Sequence, residues 1–425
     1  MPQTLSRRVL VLGAGAQGNV VAGVLSKAEE IGAIVLADLD PERARETAAN
    51  LDSDRIEVGR VDAADLEGTT AFLRSGRFDL VVNTALPEFI PRVMLAALRS
   101  GTNYLDLSST FFYERQGQPI EQLEHAEEWQ ASGKTALVNG GSAPGLTNVM
   151  AREGVDDLDE VEAIRIRDYS VVVSDEFVAL WSLPVFLLDC ATEPTIWEDG
   201  RAKRVPIFSG EELYDFPPPI DRRGKVYLHA HEEPVTLPLF VGKPVGYCDY
   251  KIGDPDIDSW RLLVRGLGLL DETPVEIGGA RVSPRDVLLR TLPRTVSPQR
   301  LLDLVGSGRL NSQSMVVCEV TGRKNGRDTR VVLWSESPDL RTASTIVRGT
   351  SDVSLVTSVP AATFSLMLLR GQIRRTGVVL PEMLGPEERA IFHRGIGRFG
   401  IRIRKRIEAG GGAVEPRRDS YPGPF

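Results

Sequence analysis

This sequence predicts an α/β fold: a doubly wound parallel Rossmann sheet followed by a mixed α+β domain. Three observations predict it. Continuous apolar runs alternate with amphipathic stretches as far as Gly141, a glycine loop joins the first run to the first helix, and beyond Gly141 prolines, aromatics and alternating patterns take over.

The elements follow in order. Residues 8–12, RVLVL, read as a strand covered on both faces. A helix over Asn19–Glu30 places Val20, Val24 and Leu25 on one face, and IGAIVLAD forms a second buried strand ending at Asp38. PERARETAANL is a helix with Pro41 in its first turn. IEVGRVDA, which contains Asp62, then a helix over Ala64–Arg74, DLVVNTA, a helix over Glu88–Ser100, NYLDLS, a helix over Ile120–Ser132 and TALVNGG continue the alternation. In the second part VEAIRIRDYSVVV alternates apolar and polar residues, and FPPPIDRRGKVYLHAHEEPVTLPLF is an extended, proline-studded stretch. SMVVCEVTGRKNGRDTRVVLWSE is a hairpin, with Asn325 and Gly326 supplying the positive φ angles of its turn. Helix returns near Pro360 in AATFSLMLLRG, and the last stretch, AGGGAVEPRRDSYPGPF, has the composition of a loose tail.

Composition narrows the function classes. The 425 residues carry 50 Lys+Arg against 59 Asp+Glu, a net charge of −9, with 42% hydrophobic residues. Such a chain buries large cores and divides into two or three domains. Its acidic balance argues against nucleic acid and for a small-molecule partner. Cys190, Cys248 and Cys318 are widely spaced, with no CxxC pair. They support neither a disulfide framework nor a zinc site and suit a reducing cytoplasm. The apolar part of the N-terminus is too short for a signal peptide, and no uninterrupted apolar run has the length of a membrane span.

Gly13, Gly15 and Gly18 form GxGxxG, with Ala16 and Gln17 between the last two glycines. The first glycine permits the turn, the second lets backbone approach a pyrophosphate, and the third seats helix against strand. Asp38 lies 20 residues after Gly18, where a carboxylate accepts the hydroxyls of an adenosine ribose. An acid there favours NAD over NADP, and Arg43 and Arg45 downstream read as solvated helix charges. Ligands of such sheets bind at the carboxyl ends of the strands. Asp62, Thr84, Ala85, Leu86, Asp106 and Ser108 are therefore expected to line the cofactor crevice, with Gly141 and Pro144 at its hinge.

The ordered series VLGAGAQG, DLVVNTALP, GTNYLDLSS, GGSAPGLTN, WSLPVFLLDCATEPTIWEDGR, HAHEEPVTLP and SVPAATFSLMLLRGQIRRTGVVLPE resembles the saccharopine dehydrogenase-like family over nearly the whole length. That group includes saccharopine reductases, carboxynorspermidine dehydrogenases and lysine 6-dehydrogenases. The resemblance implies an NAD(P)-dependent oxidoreductase transferring hydride at a carbon–nitrogen bond of a lysine-derived or related amino acid. It also implies a dinucleotide domain split between residues 1–145 and about 360–410, a substrate and dimerisation domain over 146–359, a flexible tail over 411–425 and a homodimer. Many relatives carry DPG at the hinge, where this chain has Ala143, so the acid of that motif is missing and APG looks more like the lysine 6-dehydrogenase branch. A dinucleotide-binding protein without turnover is the alternative reading.

The chemistry needs a base and cations. His229 and His231 share one face if their segment is a strand, with Glu232 opposite, and without a third nearby ligand they predict no metal site. His231 is the expected base. Lys251 is the second catalytic candidate, because similar enzymes keep a Tyr-Lys pair there. Arg165, Arg167 and Asn148 are assigned to the substrate, the arginines as forks for its carboxylates.

Overall fold

The computed structural model describes residues 6–110 and 117–409. Its first part runs β1 (Arg7–Leu12), α1 (Ala16–Leu25), β2 (Ile31–Asp38), α2 (Pro41–Leu51), β3 (Ile56–Arg60), α3 (Leu66–Gly76), β4 (Leu80–Asn83), α4 (Ile90–Ser100), β5 (Asn103–Leu105), α5 (Ala126–Ser132) and β6 (Thr135–Leu137). These strands pair in parallel in the order β6-β5-β4-β1-β2-β3, so the sheet reverses direction of winding between β1 and β4. Ligand crevices of doubly wound sheets open at that reversal. The first helix begins at Ala16, directly on the glycine loop, rather than at Asn19. Its early start follows from the loop: Asn19 N–H already donates to Gly15 O at 2.9 Å.

The second part runs α6 (Leu146–Asp156), β7 (Glu160–Ser174), α7 (Leu183–Ala191), β8 (Thr195–Glu198), β9 (Arg201–Arg204), β10 (Glu212–Phe216), β11 (Arg222–Leu228), α8 (Glu233–Phe240) and β12 (Val245–Gly253). An excursion follows, with α9 (Ile257–Arg261), β13 (Val275–Ile277), β14 (Ala280–Val282), α10 (Pro284–Thr291) and α11 (Pro298–Gly306). The chain ends with β15 (Leu310–Lys324), β16 (Arg327–Glu336), α12 (Leu340–Ile346), α13 (Asp352–Leu369), β17 (Gly377–Val379), α14 (Pro386–Gly397) and β18 (Arg402–Ala409). The second sheet has the order β10-β11-β12-β7-β15-β16-β18, antiparallel except for β12 on β7. Its β15–β16 hairpin turns on Asn325 and Gly326, with φ of 50° and 73°.

Two boundaries differ from the sequence reading. The returning helix, α13, starts at Asp352, well before Pro360, because the Ser351 hydroxyl accepts the Ser354 N–H and caps it there. Pro360 lies inside it, and a core helix tolerates the missing donor where packing offsets a cost of about 3 kcal/mol. This helix is apolar enough for a membrane span, yet 78% of it is buried, packed mainly on α1. β17 pairs with β6 and extends the parallel sheet, whereas β18, which had been assigned to the dinucleotide domain, pairs with β16 in the second sheet. Alternation in RIRKRIEA suits an edge strand there, and β16 leaves an edge to pair with. The tail over 411–425 lies outside the described residues.

One core joins the two sheets. Ile164, Ile166, Cys248, Tyr250 and Cys318 of the second sheet are continuous with Val9, Val20, Leu146 and Phe364 of the first domain. Along β7 and β12 the residues between these, Arg165, Arg167 and Lys251, point to the opposite face. That parity decides which predicted residues meet.

Candidate active site

At the first crevice, geometry explains the glycines. A Cβ on Gly18 would lie 1.9 Å from Gly13 O, and one on Gly13, where φ is 107°, would lie 2.8 Å from Ala85 N. Both glycines are fixed by backbone contact. Gly15 differs: its Cβ position meets only Arg43 Nη2, at 3.5 Å, and no side chain caps the helix that starts there. An open, uncapped helix N-terminus is built for an anion. Thr84 Oγ1 donates to Gly13 O at 2.8 Å, binding the β4 loop to the glycine loop, and Leu86 stands at the rim, 51% exposed. Asp38 Oδ2 accepts from Ala14 N–H at 2.8 Å and Oδ1 from Asp40 N–H at 3.1 Å, so the loop and the acid hold each other. Gln17 reaches across to the Ser358 hydroxyl on α13. Arg45 pairs with Glu42 on the helix surface, and Arg43 is likewise exposed, as a solvated helix charge should be, with its Nη2 at the edge of the glycine loop.

The remaining crevice candidates divide. Asp62 caps its own loop, accepting from Ala64 N–H at 2.9 Å. Ser108 O accepts from Gln122 Nε2 at 2.8 Å. Asp106 does not line the crevice: it is fully buried, accepting from Asn139 N–H at 2.7 Å and Gln122 Nε2 at 3.2 Å, and burial pushes its carboxyl up to about 7. Its polarity serves the loops after β5 and β6. The hinge packs on the same loops, since a Cβ on Gly141 would lie 3.1 Å from Pro144 O and 3.2 Å from Leu107 O. Two buried polar atoms after β6, Asn139 Nδ2 and Ser142 Oγ, have no hydrogen-bond partner among the described residues. The cradle therefore fits a dinucleotide: an anion-receiving helix end, a ribose acid and spare polar atoms at the opposite strand ends.

The histidines lie where the two sheets meet. The chain leaves β11 at Leu228, so His229–Glu232 form a turn into α8 instead of continuing the alternation. His231 and Glu232 are thereby brought together, contrary to the expected opposite faces. His231 Nδ1 lies 2.5 Å from Glu233 Oε2 and 3.3 Å from Glu232 Oε2. Thr147 Oγ1 donates to Glu233 Oε1 at 2.7 Å, and the Ser109 N–H, from the loop after β5, donates to Glu232 Oε1 at 2.7 Å. The imidazole stacks on the Tyr250 ring at 3.8 Å, and Tyr250 Oη donates to Asp168 Oδ2 at 2.8 Å. Nε2 of His231 makes no hydrogen bond among the described residues.

Electrostatics sharpen the picture. Burial alone would lower His231, but the charge and hydrogen bond of Glu233, with Glu232 and Asp189 behind them, raise it to about 9. Burial pushes Asp168 up to about 6, Asp189 to about 7 and Glu232 to about 8. His229, also buried and beside the charge of His231, falls to about 3 and is neutral. The ligand atoms of His231, Glu232 and Glu233 come within 4.8 Å of one another, a third donor the alternation had not placed there. Each is already engaged, with Ser109, Thr147 or its neighbour.

Four predicted residues are elsewhere. Lys251 is not beside His231: parity puts it on the other face of β12, its ammonium 2.7 Å from Glu212. Arg167, with 2% of its side chain exposed, is spent on Asp249, at 2.6 Å, and on Glu212, at 2.8 Å. Arg165 lies over the Tyr247 ring at 5.6 Å on that same face. Asn148 is fully buried and internally bonded, donating to Glu382 Oε2 at 3.0 Å and accepting from Gly145 N–H at 2.8 Å. Arg167, Lys251 and Asn148 are spent within the fold, and Arg165 makes no ion pair among the described residues but lies on the face away from the histidine junction. Sequence reasoning missed Asp168, Glu233 and Asp189. Asp168 had a signal, because in IRIRDY it occupies a position on the apolar face with Ile164 and Ile166, where a carboxylate needs a reason.

Models of the saccharopine dehydrogenase NADP binding domain and the saccharopine dehydrogenase C-terminal domain match residues 9–137 and 141–399. The chain belongs to the saccharopine dehydrogenase family. As a member it is an NAD(P)-binding oxidoreductase, in agreement with the cradle described above. It is 26% identical over 400 residues to carboxynorspermidine synthase of Vibrio cholerae serotype O1, covering 89% of this chain and 92% of that one. It is 24% identical over 389 residues to carboxyaminopropylagmatine dehydrogenase of Synechocystis sp., covering 89% and 93%. Among solved structures its fold is similar to glutamate-forming saccharopine dehydrogenase of Saccharomyces cerevisiae, with a TM-score of 0.68, 15% identity and coverage of 95% and 100%. Homospermidine synthase of Legionella pneumophila, solved with NAD, gives 0.67, 14%, 99% and 95%.

Proposed function

We propose that this family member forms or cleaves the carbon–nitrogen bond of a secondary amine built from an amine and an amino acid, with His231 as its acid–base group. The observation that carries the reading is the link from Ser109 N–H through Glu232 to His231, which connects the carboxyl edge of the nucleotide sheet to the only imidazolium of the junction. The names of the curated relatives, a carboxynorspermidine synthase and a carboxyaminopropylagmatine dehydrogenase, support a polyamine-like product over a lysine derivative.

A bound nicotinamide supplies or accepts the hydride. The glycine loop and the N-terminus of α1 would hold its pyrophosphate, and Asp38 its ribose. Glu233 holds Nδ1 of His231 and Tyr250 holds the ring plane, which leaves Nε2 to exchange a proton with the substrate nitrogen. In the reducing direction the amine and carbonyl condense to an imine with loss of water, and Nε2 then delivers a proton to its nitrogen as hydride reaches the carbon; in oxidation Nε2 takes that proton back and water cleaves the imine. Neutral His229 adds no competing charge. Ala143 at the hinge carries no proton, and the junction supplies it.

Exposed Leu262, Leu267 and Ile277 of the excursion support a homodimer, checked by sedimentation. The functional test is nicotinamide absorbance with secondary amines formed between an amino acid and an aminoalkyl arm, against lysine, a primary amine. Turnover of the first group is expected; turnover of lysine alone would overturn the reading.

A further inference from the structure

We infer that Asp189 is the residue that selects the substrate amine, by binding a second, distal cation on it; this rests on the reading of the site given above. Three observations converge on α7. Phe186, one turn before Asp189, stacks on His229 with ring centroids 6.1 Å apart and meets the edge of Trp260 at 5.5 Å. The helix thus presents an aromatic wall and a carboxylate to the histidine junction. Asp189, three residues after Phe186, lies on the same side of α7 as the ring that stacks on His229.

Its neighbours are all satisfied and it is not. Glu232 accepts from Ser109 N–H, Glu233 from the Thr147 hydroxyl and Asp168 from the Tyr250 hydroxyl. Nearby Asp254 accepts from Asp256 N–H at 2.6 Å and bonds Trp260. The Asp189 carboxylate makes no hydrogen bond or ion pair among the described residues. Asp189 is half-buried, so its carboxylate faces partly open space with no protein cation beside it, and a cation on the substrate is the ligand that would pair with it. Acids outnumber cations around His231, so a dicarboxylate meets repulsion at this end of the site and an ammonium or guanidinium meets attraction. Phe186 and Trp260 add ring faces and edges suited to its alkyl stem and charge.

The test is calorimetric titration of the protein saturated with NAD⁺, or with NADP⁺ where that binds more tightly, with 1,4-diaminobutane and with butylamine. Wild type is expected to bind the diamine about tenfold or more tightly than the monoamine, the scale of a charge-assisted contact. Asp189→Asn, nearly isosteric, brings the two Kd values within about threefold, and Asp189→Glu retains the preference. No preference in wild type, or a preference that survives Asp189→Asn, overturns the assignment. Amine turnover is read separately: a chain that shows the preference but oxidises or reduces no amine keeps this assignment and loses the proposed function.

Discussion

The glycine-loop crevice and the histidine junction are built by opposite means. In the crevice the decisive contacts are backbone to backbone, between residues close in sequence or one strand apart: Gly18 against Gly13, Gly13 against Ala85. At the junction they are side chain to side chain and distant in sequence, Ser109 to Glu232 and Thr147 to Glu233. The first kind of site tolerates almost no substitution at its glycines. The second depends on charge, and single substitutions should retune it without dismantling it.

The largest expected effect breaks the crevice. Gly18→Ala puts a methyl 1.9 Å from Gly13 O, so backbone must move. Loss of about 3 kcal/mol of stability and about 100-fold weaker NADPH binding are expected, read by chemical denaturation and fluorescence titration. Near-native values for both would show that the loop gives way more easily than its geometry implies. Next is His231→Asn, which should lower kcat/KM by about 10²–10⁴-fold while NADPH still binds. That separation of cofactor affinity from rate is what distinguishes the two regions.

How much of each region could be read from the sequence follows from the same contrast. The strand–helix alternation, the glycine loop and the position of Asp38 were legible because they depend on local patterning and on a motif whose spacing is itself the geometry. The helix start near Pro360 was misread because proline is a breaker by local propensity, while the burial of α13 overrides it. The substrate cations were misread for a different reason. Arg165, Arg167 and Lys251 alternate with the apolar residues of β7 and β12, and that alternation places them together, but only the tertiary fold shows that the apolar face is the one turned to the nucleotide sheet. His231 was legible as a histidine worth naming, but its partner Glu233 was not, because the end of β11 at Leu228 has no clear marker in KVYLHAHEEP.

A smaller effect sharpens the electrostatic side of the contrast. His231 is raised in the folded protein to about 9 from an ordinary value near 6.5, so its contribution to stability is complete below about 6.5 and disappears as pH rises through about 9. Melting temperature should therefore fall across that window in wild type, and the fall should flatten in His231→Asn. Smallest is Arg43→Ala. Removing the guanidinium that overhangs Gly15 should raise KM for NADPH by about 3- to 10-fold and KM for NADH by less, measured side by side. An equal rise for both would assign Arg43 to the pyrophosphate rather than to a ribose phosphate.

The proton-holding role of His231, set by Glu233, is tested most directly by the pH profile of kcat/KM in the reducing direction, for wild type and Glu233→Gln. Wild type should lose activity as pH rises through about 9, where the imidazolium gives up its proton. Without the Glu233 charge that loss should move toward neutral pH, because burial then acts on the imidazole with less opposition. An alkaline limb at the same pH in both proteins would contradict the account.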